Sequence, residues 1–154
     1  MKNWIIIVFL FATSLLFSQT DNESRIEHFN LDKNIAISGY DPVSYFDNTP
    51  EKGSSDFAHT HKGITYHFTN ETNKKKFIAN PEKYEPVYGG WCAYAMGLDK
   101  AEKVDINPKT YKIIEGKLYL YYNKLGVNTL TKWNKDEENY KNKADKNWSN
   151  IVGE

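Results

Sequence analysis

The sequence predicts a segregated α+β fold, a small antiparallel sheet built from hairpins with short helices and a long C-terminal helix packed on it. Two observations are alternating runs bent at a glycine: Phe57 to His61 with Ile64 to Phe68, and Tyr111 to Ile114 with Lys117 to Tyr122. A third is the tract from Thr129 to Val152, free of Gly and Pro, in which Leu130, Trp133, Tyr140, Ala144, Trp148 and Ile151 recur at spacings of three, four and seven. That period gives one apolar face to a long helix, or to two helices with a bend. The runs are short and pair locally, which disfavours a parallel doubly wound sheet. Composition agrees: 154 residues, 26% charged and 40% hydrophobic, suit one soluble globular domain.

The chain opens on Lys2 and an apolar run from Ile5 to Phe17, broken only by Thr13 and Ser14 and ending at the small residue Ser18. This reads as a secretory signal peptide over residues 1–18. The run is shorter than the ~20 apolar residues of a membrane span, so the mature product is expected to be secreted or periplasmic, without stable membrane insertion. Residues 19–34 are polar and read as a flexible lead-in, and a single domain is expected over 35–152. Ile35 to Ile37 starts the fold as a short strand and breaks at Ser38-Gly39-Tyr40-Asp41-Pro42, a turn set by Gly and Pro. Val43 to Phe46 returns to the core. In the first hairpin Ile64, Tyr66 and Phe68 face one side, Thr65 and His67 the other. Thr69 or Asn70 caps a helix from Glu71 to Ala79, with Phe77 and Ile78 inward, and Asn80-Pro81 stops it. After Gly89-Gly90, the segment Trp91 to Met96 makes a short helix ended by Gly97.

Twenty basic and twenty acidic residues give zero net charge, which removes the basic footprint that nucleic acid requires. There is no CxxC pair, no Gly-rich phosphate loop, no HExxH helix and no Gly-x-Ser-x-Gly elbow, so the common enzyme templates fail. Cys92 is the single cysteine. With the leader removed, Met96 is the remaining methionine, four residues away, which on a helix places both sulfurs on one face. Thiolate with thioether is a soft pair that, helped by imidazole, favours copper, or zinc if the thioether stays out. Helix entry at Gly90 also puts Cys92 near the positive end of the dipole. His59 and His61 share a face of their strand, and His67 on the adjacent strand is close enough to join them as a nitrogen ligand. Against this stand a buried Cys92, a core Met96, and hairpin histidines that are merely exposed or hydrogen-bonded. Cysteine with histidine also fits a thiol nucleophile, although no spacing selects a base. Tyr119, Tyr121 and Tyr122, with Tyr88 and Tyr94, read as sheet packing or as a stacking surface.

Several segments together resemble the exported stand-alone branch of the YHS domain family: Ile35-Ala36-Ile37-Ser38-Gly39-Tyr40-Asp41-Pro42-Val43, Gly63-Ile64-Thr65-Tyr66-His67-Phe68, Phe77-Ile78-Ala79-Asn80-Pro81, Tyr88-Gly89-Gly90-Trp91-Cys92-Ala93-Tyr94 and Gly116-Lys117-Leu118-Tyr119-Leu120. The likeness runs from about Ile35 to Trp148. It implies a small α+β domain, often regarded as metal-binding. Metal-associated members carry one cysteine after the Tyr-x-Phe strand and a second four positions later. Those places look to be Thr69 and Asn73 here. The expectation is therefore an exported, non-enzymatic domain that binds copper, or zinc, through Cys92 with Met96, His59, His61 and His67. The alternative is a metal-free binding or scaffold module with Cys92 packed in its core.

Overall fold

The computed structural model describes residues 22–153, so the expected leader and the first residues of the lead-in lie outside the described residues. The rest of the lead-in differs from expectation, since residues 22–28 form a helix, α1. Strands β1 (Leu31–Asp32) and β2 (Ile35–Ala36) follow, then β3 (Ser54–His61) and β4 (Ile64–Phe68). Helices α2 (Glu71–Ala79), α3 (Pro81–Tyr84) and α4 (Ala93–Met96) lead to β5 (Asn107–Ile114) and β6 (Lys117–Tyr121). A small hairpin, β7 (Asn123–Lys124) and β8 (Val127–Asn128), precedes α5 (Thr129–Trp133) and α6 (Glu137–Val152). Helices and strands are thus segregated as predicted, with α6 packed on small, mainly antiparallel sheets.

The larger sheet has the order β1-β2-β4-β3, with β2 and β4 parallel and the other pairs antiparallel. β5 pairs with β6 and β7 with β8 as separate two-stranded sheets. All these hairpins share one turn chemistry. Lys33-Asn34, Lys62-Gly63, Glu115-Gly116 and Leu125-Gly126 each have positive φ at both residues. That handedness matches the twist of the flanking strands, and Gly or Asn at the second position makes it accessible. The first residue of each pair carries a side chain and bears the cost. Leu125 bears it at 96% exposure, with no packing to compensate.

Asn70 caps α2 by accepting from the Asn73 N–H at 2.9 Å, and Asn80 caps α3 with Pro81 in its first turn. Phe77 is fully buried, whereas Ile78, expected inward, is 46% exposed. One residue along a helix turns the side chain by about 100°, and the sheet covers only the face of Phe77. The C-terminal tract resolves into the bent alternative, α5 and α6 broken at 134–136.

Two clusters make the core. The first holds Tyr45, Ile64, Tyr66, Phe68, Phe77, Cys92, Leu118 and Leu120; the second holds Tyr88, Met96, Tyr119, Tyr121, Trp133 and Ala144. β6 lies between them, sending Leu118 and Leu120 one way and Tyr119 and Tyr121 the other, as alternation requires. Helix α4 meets α6 where a Cβ on Gly97 would lie 2.6 Å from the Tyr140 carbonyl oxygen, so this crossing requires glycine. No helix among the described residues is long and apolar enough to cross a membrane.

Candidate functional site

Cys92 is the N-cap of α4, and its backbone N–H donates to the Val104 carbonyl at 2.9 Å. Its side chain has 0% exposure. The Tyr122 N–H donates to Sγ at 3.3 Å, and Thr129 Oγ1 lies 3.3 Å from Sγ. The Thr129 hydroxyl donates its one proton to the Tyr122 carbonyl at 2.9 Å. The Thr129 oxygen and the Tyr122 N–H thus both contact Sγ and enclose it. Cys92 and Met96 are one helical turn apart, the Met96 N–H donating to the Cys92 carbonyl at 3.0 Å, yet their side chains enter different core clusters. Met96 is also fully buried.

The histidines are divided. His59 opposes Tyr66 and His61 opposes Ile64, which puts both rings on the face covered by α2. Their ring centroids lie 6.4 and 6.0 Å from that of Phe77. His67 opposes Ala58 on the other face, next to the Gly39 turn, so adjacency of strands does not bring it to the other two. Among the described residues no three His, Cys, Asp or Glu side chains gather into a group able to hold a metal ion. The five residues expected to share an ion thus occupy a core position in each cluster and opposite faces of one hairpin.

Thr69 and Asn73, at the places where the resemblance puts metal-associated cysteines, meet a different group. The buried Asp41 carboxylate accepts from the Thr69 N–H at 2.9 Å, the Thr69 hydroxyl at 2.8 Å and the Asn73 amide at 2.7 Å on one oxygen, and from the Val43 N–H at 2.8 Å on the other. Four donors compensate a charge taken out of water without a cation. The network ties the Gly-Tyr-Asp-Pro turn to the start of α2.

That turn follows one of two left-handed three-residue runs among the described residues. Ile37, Ser38 and Gly39 all have positive φ, as do Tyr88, Gly89 and Gly90. Positive φ is rare for a side-chain-bearing residue and costly for a β-branched one such as Ile37, which persists only where surrounding contacts over-determine it. Asn30 ties the second run to Asp105. Its N–H donates to the Gly89 carbonyl at 2.9 Å, and its amide donates to the Gly90 carbonyl at 3.2 Å and to Asp105 at 3.3 Å. Beside it opens a cleft of about 290 Å³, lined by Asn30, Asp32, Ile37, Ser38, Asp105 and Ile106 among others. Partial burial works against charge on Asp105, but the Ile106 N–H, the Asn30 amide and the Lys124 ammonium more than offset it, holding the carboxyl below its ordinary range. Sequence reading does not mark this cleft. Asn30 and Asp32 lie in the polar lead-in, and Asp105 in a charged connection.

Comparison with family models, curated proteins and solved structures gives no match. The likeness to the YHS family therefore rests on the motifs themselves, two of which coincide with the left-handed runs.

Proposed function

We infer that the chain is an exported, non-enzymatic, YHS-like binding module in which Cys92 is a packed core residue and ligand contact falls to the polar cleft beside Asn30, Asp32 and Asp105. The observation that carries this reading is the enclosure of the Cys92 sulfur: it is fully buried, in contact with the Thr129 hydroxyl and accepting from the Tyr122 N–H. Coordination of copper or zinc there requires opening the enclosed contact that Sγ makes with Tyr122 and Thr129. The cleft, by contrast, has ionised oxygen and amide groups at the surface on a wall held by a strained turn, the arrangement in which ligand contacts are commonly fixed.

Alkylation and metal titration test the assignment together. The native thiol is expected to resist a small alkylating reagent and to react once the chain is unfolded. Cu(I) affinity is expected to be the same in the parent and in Cys92→Ala. Stoichiometric native alkylation, or loss of Cu(I) binding on substitution, returns Cys92 to the role of ligand. For the cleft, Asp32→Ala is expected to weaken capture of whatever small molecule or peptide co-purifies with the chain while leaving its melting temperature nearly unchanged, and Asp105→Ala, which also frees the Asn30 amide, the Ile106 N–H and Lys124, is expected to lower both; undiminished capture in both variants removes the cleft from the reading.

A further inference from the structure

The two histidines that share a face of β3 carry a separate inference. β3 is an edge strand, so its free side opens to solvent. His59 and His61 are two residues apart on it, half-buried, and their rings rest edge-on against the same Phe77 ring. Packing on one ring restricts both imidazoles on the same strand face and removes some of the rotamer freedom that a chelate would otherwise have to freeze. No hydrogen bond among the described residues occupies the nitrogens of either ring.

The surroundings favour neutral rings. Burial lowers the His59 pKa, and Lys74 adds to the effect. At His61 burial again leads; Glu85 opposes it, and Arg25, Lys62 and His59 reinforce it. Glu85 is already engaged, accepting from Arg25 and from the Tyr66 hydroxyl at 2.6 Å each. Neutral imidazole is the form that binds metal.

We propose that His59 and His61 form a two-imidazole site for a divalent transition-metal ion, with Cu(II) bound more tightly than Zn(II). Nitrogen ligands suit both ions, and the intrinsic affinity order places Cu(II) first. No third His, Cys, Asp or Glu of the described residues completes the set, so the other positions belong to water or to an incoming ligand. Such a site is open and exchanges its ion readily. The Lys74 cation beside His59 opposes the bound charge and limits affinity. This site is independent of the cleft and of Cys92, and its test distinguishes it from both.

Calorimetric titration of the purified chain with Cu(II) and with Zn(II), joined to electron paramagnetic resonance of the copper form, decides the matter. One equivalent of Cu(II) is expected, with hyperfine structure from two imidazole nitrogens. His59→Ala and His61→Ala each weaken binding by about tenfold or more, at least the effect of losing an outer-shell partner, and the double variant abolishes it. His59→Gln keeps a polar side chain on the strand and an unchanged melting profile, and it gives the same loss, which separates loss of the ligand from loss of the fold. Lys74→Ala tightens binding, while His67→Ala and Cys92→Ser leave it unchanged. Absence of saturable binding, full affinity in the double variant, or an equal loss in His67→Ala overturns the proposal.

Discussion

A methyl group on Gly89 would lie 2.8 Å from the Trp148 ring and 3.1 Å from the Phe29 Cα, and φ there is +59°. Steric conflict and a left-handed backbone act together. Gly89→Ala is expected to cost about 2 kcal/mol or more, read as a lowered urea midpoint with an unchanged slope. Asp41 makes the opposite case, where the loss is of charge rather than of space. Removing its carboxylate leaves the Thr69 hydroxyl and N–H, the Asn73 amide and the Val43 N–H without their acceptor. Asp41→Ala is therefore expected to destabilise by about 3 kcal/mol, again by denaturant melt. The glycine pair and the Asp-Pro turn are visible in the sequence as punctuation. Their partners are not, because Trp148 and Asn73 lie 59 and 32 positions away and nothing local announces them. The partners of Cys92 were hidden in the same way: Thr129 and Tyr122 are 37 and 30 positions distant.

Among the elements, the hairpins with five-residue or longer strands and a glycine in the bend were legible, and so was α2 with its cap. β2 was legible as the short strand at Ile35, one residue longer than observed, but its partner β1 and the β7–β8 hairpin were not, since two-residue strands offer no alternation to read. α1 escapes for another reason: its own sequence is polar, and its order comes from contacts elsewhere. Arg25 reaches Glu85 at 2.6 Å and lies over the Phe29 ring at 4.5 Å, Trp91 donates its indole N–H to the His28 carbonyl at 2.7 Å, and Phe29 meets Trp148. Phe29→Ala is expected to cost about 2 kcal/mol through lost burial and to raise amide exchange across 22–30 before the rest of the chain. β3 has a pH dependence of known sign. His59 and His61 are lowered in the fold, so the unfolded chain binds more protons just below its own pKa of about 6.5. Their contribution to stability is complete above that value and is lost as pH falls through the lowered folded values. Thermal melts between pH 7.5 and 5 are expected to show this decline, reduced in His59→Gln/His61→Gln.

For the whole molecule, the fold class followed from period and punctuation, while the division of the core into two clusters did not. The division arises because β6 is covered on both faces, which a run such as Leu118-Tyr119-Leu120-Tyr121 permits without announcing. It also explains why two sulfur side chains at helical spacing belong to different clusters: α4 has only four residues and sits between them. Sequence spacing places side chains on a helix, but where each goes is settled by what covers the helix, and here the two ends are covered differently. The β7–β8 tip bears on how this chain has been shaped. Leu125 is left-handed and 96% exposed, so its turn holds a residue that raises its own energy and contributes no packing. Asn is far better suited to that conformation, and Leu125→Asn is expected to stabilise the chain by about 1 kcal/mol, seen as a rise in melting temperature. Position 125 is thus a ready point for engineering a sturdier and less adhesive protein, reached by a single substitution that touches neither core.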